Sequence, residues 1–238
     1  MATMNYKVLH QIILFISIVI SGCSQPKRPR CAEFFEKYPL VLEGMKGKPD
    51  TAILIETLNK IILRDAYCLD AYLTRADLLA FKDSLFKAKN DYKKALFLDT
   101  GNVYASYQLG MAFEIEEKYD SAADYFQKAI NNKTIGNAIS DYPDKLKGLG
   151  SNKSRYDIES AELMFRQGVA FYYQQRLQRA YDNFNFCIQV NYKLDQVYLY
   201  RGSVYFQTKQ KRKGCEDFLE AKKLGNKDAD IYLRKYCN

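Results

Sequence analysis

Histidine and tryptophan are almost absent from this chain of 238 residues. It contains no Trp, and its one histidine, His10, lies in an N-terminal stretch with the features of a leader. The rest of the chain lacks the imidazole required by Ser-His-Asp and Cys-His hydrolase sites, histidine-based zinc sites and histidine acid/base catalysis. A Gly-rich phosphate-binding loop is absent as well. We expect a protein that is not an enzyme and that carries no cofactor and no metal.

Proline is scarce, and neither sign of charge is segregated. The chain has five Pro and 47% hydrophobic residues, and its aromatic residues are Tyr and Phe alone. Few prolines suit long helices, and this hydrophobic content is sufficient for a core. A formal charge of +8 could favour anionic lipid or an acidic partner, but acids and bases are interspersed, as on an ordinary solvated surface. The composition predicts an all-α protein.

Residues 1–22 have the features of a signal peptide. Lys7 lies in a short polar start, and the apolar run Ile12 to Ile20 is too short to cross a bilayer as a helix. The run ends in Ile20-Ser21-Gly22-Cys23, which resembles the lipobox of bacterial lipoproteins. The resemblance implies cleavage before Cys23 and its lipidation; an uncleaved anchor or an ordinary secretory signal is the alternative.

Residues 23–30 would then form a basic, extended tether. Several acyl chains would hold the protein on a membrane essentially permanently. Ser24, rather than Asp, follows the cysteine, and Lys27, Arg28 and Arg30 are opposite in sign to the acidic cluster of surface-exported lipoproteins. By the sorting rules known for this class, we expect an outer-membrane protein that faces the periplasm.

Small residues recur at a fixed period along the rest of the chain. They occupy two sets of positions, with spacings of 34, 58 and 34 residues in both. An aromatic residue follows each member of the second set after four residues, and another small residue after seven. The first set is Ala76, Gly110, Gly168 and Gly202; the second is Ala88, Ala122, Ala180 and Gly214; the aromatic residues are Tyr92, Phe126, Phe184 and Phe218.

This pattern resembles the tetratricopeptide repeat, a hairpin of two helices with small residues where the helices cross. The resemblance implies an all-α, right-handed solenoid of helical hairpins, and the best copy is 103–136. The chain departs from the family in lacking the first-helix Trp and the closing Pro. The predicted segments are a degenerate first hairpin at 31–68, repeats at 69–136 and 161–228, an insertion loop and helix start at 137–160, and a C-terminal capping helix at 229–238.

Beyond the lipobox, five cysteines remain, without a C-x-x-C motif, so a zinc site is not expected. Cys31 and Cys68 lie at matching ends of the two helices of the degenerate hairpin, and Cys215 and Cys237 are placed similarly in the last repeat and the cap. We predict a disulfide in each pair, with buried packing thiols as the alternative. Cys187 replaces a core alanine and is expected to be inert.

In the tetratricopeptide family, the first helix of each repeat lines a concave groove. Carried over position by position, the resemblance implies an aromatic, lightly charged groove suited to an extended peptide or an amphipathic helix. Its candidate residues are Asp77, Phe81, Tyr104, Tyr107, Met111, Glu114, Phe165, Tyr172, Tyr173, Tyr200, Ser203 and Phe206. For several rings, Phe165 and Phe206 in particular, packing between helices is the alternative. The lysines and asparagines of the chaperone-binding carboxylate clamp are not at these positions.

Together, the lipobox and the repeat predict a non-catalytic, lipid-anchored adaptor or assembly scaffold of the bacterial envelope that binds a protein or peptide. Binding of peptidoglycan or another glycan is the alternative. A third hypothesis is a hydrolase that uses carboxylates alone, such as Glu114, Glu116 and Glu117. The basic turn 209–213 is either a solvated turn or an anionic contact. We expect no nucleic-acid partner, and the oligomeric state stays open.

Overall fold

The computed structural model describes residues 51–139 and 158–237. These ranges contain ten α-helices and no strand, which confirms the all-α prediction. The helices are α1 (Thr51–Arg64), α2 (Leu69–Phe81), α3 (Leu85–Leu98), α4 (Val103–Ile115), α5 (Tyr119–Ile139), α6 (Ser160–Tyr173), α7 (Leu177–Gln189), α8 (Leu194–Gln207), α9 (Lys211–Lys223) and α10 (Ala229–Tyr236).

The chain divides after Ala71 into two compact units. In the first unit, α1 places Leu58 and Ile61 on one buried face. Cys68 is buried and disulfide-bonded. The signal peptide, the lipobox with Cys23, the tether and Cys31 lie outside the described residues.

The second unit is a stack of helical hairpins. Each helix from α3 to α9 packs against the next one in the chain, and α6 also packs against α8. The contact between α5 and α6 makes the stack continuous across the long interval in the repeat. Helix α5 runs on to Ile139, so the first residues of the segment predicted as an insertion loop, 137–139, are helical; 140–157 lie outside the described residues.

The turns inside the hairpins repeat one backbone conformation. Asp83, Glu117, Gln175 and Lys209 all have a positive φ, between 56° and 61°, and their spacing follows the repeat. In each turn the next residue donates from its backbone N–H to a carbonyl five residues earlier, as Lys118 does to Phe113. This is the Schellman arrangement that ends helices, here without the usual glycine.

The periodic glycines lie where two helices of one hairpin approach most closely. A Cβ on Gly110 would lie 2.5 Å from Cε1 of Phe126, and one on Gly202 would lie 2.7 Å from Cδ1 of Phe218. Phe126 and Phe218 are fully buried. The sequence period therefore records a contact between a small residue and an aromatic ring, repeated in each hairpin.

The glycine and the phenylalanine of each contact are sixteen residues apart. A second pair of positions with the same separation carries a polar contact within each of three hairpins. Arg75 donates two hydrogen bonds to Asp91, both of 2.7 Å, and Arg201 binds Asp217 at 2.7 and 2.8 Å. In the third hairpin the amide of Asn183 donates to that of Gln167 at 3.0 Å. We call these contacts the polar clasps.

Helix α10 closes the stack. Its Tyr232 and Tyr236 lie against Phe218, with ring centroids 5.2 and 6.2 Å apart. Cys215 and Cys237 form a disulfide, with Cα atoms 5.7 Å apart, which ties α10 to α9. Cys187 is a buried free thiol, and burial raises its pKa to about 12, which disfavours the nucleophilic thiolate.

Candidate functional site

The first helices of the hairpins are joined side by side through their polar and aromatic side chains. The Tyr104 hydroxyl on α4 donates to Asp77 on α2 at 3.0 Å. The Tyr107 hydroxyl on α4 donates to Glu162 on α6 at 2.9 Å. Between α6 and α8, the rings of Tyr172 and Tyr200 meet edge to face at 5.9 Å. We call the surface that these helices share the groove face.

Glu162 is the centre of a hydrogen-bonded cluster on this face. Besides Tyr107, its carboxylate accepts bonds from Arg166 at 2.9 Å, Tyr192 at 2.5 Å and Lys193 at 2.6 Å. Burial alone would raise the pKa of Glu162, but these four donors outweigh it and lower the pKa to about 2. The carboxylate is thus fully engaged and holds α4, α6 and the turn before α8 together.

Glu114 lies beside this cluster, and one of its two carboxylate oxygens accepts no hydrogen bond from the described residues. Its Oε1 accepts a bond of 3.3 Å from Arg166, whereas its Oε2 is buried and accepts no hydrogen bond from the described residues. Burial raises the pKa of Glu114, although Arg166 partly offsets the effect. A buried acceptor without a donor costs free energy, so the unpartnered oxygen of Glu114 is a locally unfavourable feature of this face.

Four tyrosines, which we call the tyrosine patch, surround this end of the groove face. Tyr119 and Tyr173 stack with ring centroids 4.4 Å apart, and Tyr172 meets Tyr173 edge to face at 5.3 Å. The fourth ring is Tyr200; burial raises the pKa of its hydroxyl, which is hydrogen-bonded to Tyr173. Tyr173 is 47% exposed. The patch therefore leaves about half of the Tyr173 side chain accessible to a ligand.

Most of the residues assigned to the groove from sequence lie on this face, but not all are available. Tyr107 is bound to Glu162, and Asp77 is occupied by the hydroxyls of Tyr92 and Tyr104. Phe81 is exposed at the end of α2. Half-buried Met111 packs against the core, and the ring of Phe206 packs against that of Tyr236, with centroids 4.1 Å apart and planes tilted by 43°.

Two of the assignments fail because the side chains are buried. Phe165 is 2% exposed and packs in the core with Phe184, at a centroid distance of 6.4 Å. Ser203 is 6% exposed and donates to the carbonyl of Leu199 within its own helix. Neither can contact a partner.

Four members of the cluster were not predicted from the sequence, namely Glu162, Arg166, Tyr192 and Lys193. Repeat register contained the signal for the first two, because Glu162 falls at the repeat position of Tyr104 and Arg166 at that of Tyr200. Tyr192 and Lys193 lie in the turn before α8, where helix periodicity does not predict the direction in which a side chain points.

The carboxylates proposed for a hydrolase serve separate contacts. Glu116 is bound by Lys89 and Lys118, and Glu117 occupies the positive-φ position of its turn. Within the described ranges no group of three or more His, Cys, Asp or Glu is placed to hold a metal ion. Every helix in those same ranges is too short or too polar to span a bilayer.

No protein-family model and no curated protein matches this sequence. Solved structures do match its fold. A crystal structure of MamA matches with a TM-score of 0.60 and 18% identity, over 76% of this chain and 92% of that one. MamA from position 41 to the end, from Desulfovibrio magneticus RS-1, matches with a TM-score of 0.62 and 12% identity, over 83% and 96%.

A third match is YrrB, described as a TPR protein with an unusual peptide-binding site. It has a TM-score of 0.56 and 20% identity, over 76% of this chain and 84% of that one. Identities of this size bear on the fold alone. With the ten described helices, they show that the chain has an all-α, tetratricopeptide-like solenoid fold of stacked helical hairpins.

Proposed function

We propose that the protein is a non-catalytic, lipid-anchored adaptor of the bacterial cell envelope that binds a protein segment on its groove face. The observation that carries the proposal is the tyrosine patch on the groove face, in which Tyr173 is 47% exposed. Tyrosine rings bury a large area with few rotatable bonds. An extended peptide or an amphipathic helix supplies apolar side chains that pack on such rings.

The fold supports this function. YrrB, with a similar fold, is described as having a peptide-binding site. The Glu162 cluster joins α4 and α6 to the turn before α8, so the helices that carry Tyr172, Tyr173 and Tyr200 are fixed relative to one another and the binding surface is preorganised.

The anchor and the location follow from the N-terminal sequence. The lipobox at Ile20 to Cys23 supports acylation, and Ser24 supports transfer to the outer membrane. The protein would then present its groove face to the periplasm. Cys23→Ala should release the protein into the soluble fraction; a variant that stays in the membrane fraction contradicts the anchor.

Site-specific crosslinking in cells tests the groove. A photoreactive residue at Gln207, which is exposed at the end of α8 and hydrogen-bonded to Tyr172, should crosslink a partner protein, and Tyr173→Ala should weaken that crosslink strongly. Ile231→Ala is the matched control, because this exposed apolar side chain lies on α10. Equal crosslinking in all variants would remove the groove face as the binding surface.

The exposed ring of Tyr173 also favours the glycan alternative, because sugar rings stack on such surfaces. Co-sedimentation of the protein with isolated sacculi separates the two functions. Sedimentation that Tyr173→Ala abolishes would assign the groove face to a glycan; sedimentation that is absent, together with the crosslink, supports the protein partner.

A further inference from the structure

The outer face of α3 differs from a solvated surface. Phe86, Asn90, Lys93 and Phe97 follow one another at helical spacing along one side of the helix. Phe86 and Phe97 are each 73% exposed. They lie about 16 Å apart along the axis, at 1.5 Å per residue. Two large apolar rings therefore stand in solvent on one face.

The other hairpins provide an internal comparison, since their second helices have the same register. At the positions of Phe86, Asn90 and Phe97, every corresponding residue is polar or charged and exposed. The position of Lys93 holds Gln127, Asn185 and Leu219, and Leu219 is 48% exposed. In α5, α7 and α9, the position of Phe86 holds Asp120, Gln178 and Arg212; that of Phe97 holds Asn131, Gln189 and Lys223; and that of Asn90 holds Asp124, Asp182 and Glu216. Among these four helices, only α3 has phenylalanines at these positions, and only α3 has no acidic residue at the position of Asn90.

The charges of α3 are also sorted by face. Asp91, its one acid, is turned inward and bound to Arg75. Lys89 is likewise buried and bound to Glu116. The remaining charges are Lys87 and Lys93, which are exposed, and Lys94, whose Nζ lies 4.6 Å from the centroid of the Phe97 ring. The outer face is thus purely cationic, with an aromatic ring near each end.

We propose that the outer face of α3 seats on an anionic lipid bilayer, with Phe86 and Phe97 entering the headgroup region and Lys87, Lys93 and Lys94 meeting lipid phosphates. An amphipathic helical face with lysines and phenylalanines has this affinity. A protein partner needs its anchor residues clustered in a packed pocket. Here the two rings are widely separated on a convex helix, a geometry that a fluid surface accommodates.

This contact goes beyond the proposed function, because it involves neither the groove face nor the acyl chain. It also gives the molecule an orientation. Since α3 is the second helix of its hairpin, seating its outer face on lipid leaves the groove face of the first helices accessible to a partner.

The absence of Trp from the chain permits a site-specific test. Phe86→Trp and Phe97→Trp place one fluorophore at each ring. Gln178→Trp and Gln189→Trp, at the same repeat positions of α7, are matched controls. The full chains are mixed with phosphatidylcholine vesicles that contain or lack phosphatidylglycerol, with bromine-labelled lipid as quencher. Circular dichroism verifies that each variant is folded.

With anionic vesicles, the emission at positions 86 and 97 should shift to the blue and be quenched by brominated lipid, while positions 178 and 189 stay in water. Added salt, or replacement of Lys87, Lys93 and Lys94 by Gln, should reverse the quenching. Equal quenching at all four positions, or no dependence on phosphatidylglycerol, would overturn the proposal. So would shielding of positions 86 and 97 from aqueous iodide by an envelope protein fraction without vesicles. Because quenching reports one helix face, the result is independent of whether Cys23 is acylated.

Discussion

The hairpins α4–α5 and α8–α9 share the contact between a glycine and a phenylalanine where their helices cross, but they differ in the residues at the polar-clasp positions. Both place a glycine against a phenylalanine, Gly110 against Phe126 and Gly202 against Phe218. At the polar clasp, however, the last hairpin has Arg201 with Asp217, whereas the same repeat positions of α4–α5 hold Leu109 and Tyr125. The repeat therefore fixes volume where helices cross, and leaves the clasp free to be ionic or apolar.

The two hairpins also differ in their next neighbour along the stack. Helix α4 directs Tyr107 to Glu162 and Glu114 to Arg166, so its polar side chains bind the next hairpin. Among the described residues, the last hairpin is followed by α10, which is held by aromatic contacts and a disulfide. A hairpin inside the stack is stabilised by its neighbour, and the last one needs its own closure.

Breaking the ionic clasp should have the largest effect. Arg201→Leu leaves the buried Asp217 carboxylate without its cation, which we expect to lower the free energy of unfolding by about 3–5 kcal/mol. The double variant Arg201→Leu/Asp217→Tyr copies the α4–α5 hairpin and should recover most of the loss. Denaturant unfolding measures both. A double variant as unstable as the single one would mean that the clasp positions are not interchangeable between hairpins.

Removing the disulfide between Cys215 and Cys237 should have the next largest effect. Cys215→Ser with Cys237→Ser opens a covalent loop with a sequence separation of 22 residues, which corresponds to about 3 kcal/mol in the chain-entropy model. The loss should be local to the end of the stack. Amide hydrogen exchange should accelerate in α10 and α9 and stay unchanged in α4 and α5; uniform acceleration would contradict a local closure.

The shared glycine contact should respond equally in the two hairpins. Gly110→Ala and Gly202→Ala force a methyl group into a phenylalanine ring, which we expect to lower the free energy of unfolding by about 1–3 kcal/mol in each case. Gly101→Ala is the control, since its Cβ would meet only the Asp99 side chain, at 3.4 Å. If one variant loses much less free energy of unfolding than the other, the glycine contacts of the two hairpins are not equivalent.

The junction of α4 with α6 should differ from the other contacts in its sensitivity to acid. Glu162 has a pKa of about 2, below its ordinary value of 4.5, so its stabilisation is complete above that ordinary value and is lost as the pH falls towards 2. Glu162→Gln should flatten the loss of stability across this window. Burial raises the pKa of Glu114, so Glu114→Gln should change the acid dependence in the opposite direction. Acid titration followed by circular dichroism distinguishes the two signs.

The period of small and aromatic residues was enough to predict the helical hairpins, because each contact joins residues at fixed separation within one hairpin. The groove was predicted less completely. Phe165 lies on the correct helix but packs against Phe184 of its own hairpin and Tyr200 of the next. Its position in the repeat does not show that these two rings cover it. The Glu162 cluster was missed because its donors come from α4, α6 and a turn thirty or more residues further along the chain.

The sequence by itself determined the all-α solenoid and the register of its hairpins. The reason is that helix periodicity and close crossing constrain every repeat in the same way. Only the tertiary structure decided which polar groups are used: Glu162 binds four donors, whereas Glu114 keeps an oxygen unpartnered among the described residues. Such choices depend on where several helices converge, and convergence is a property of the packed stack rather than of any single repeat.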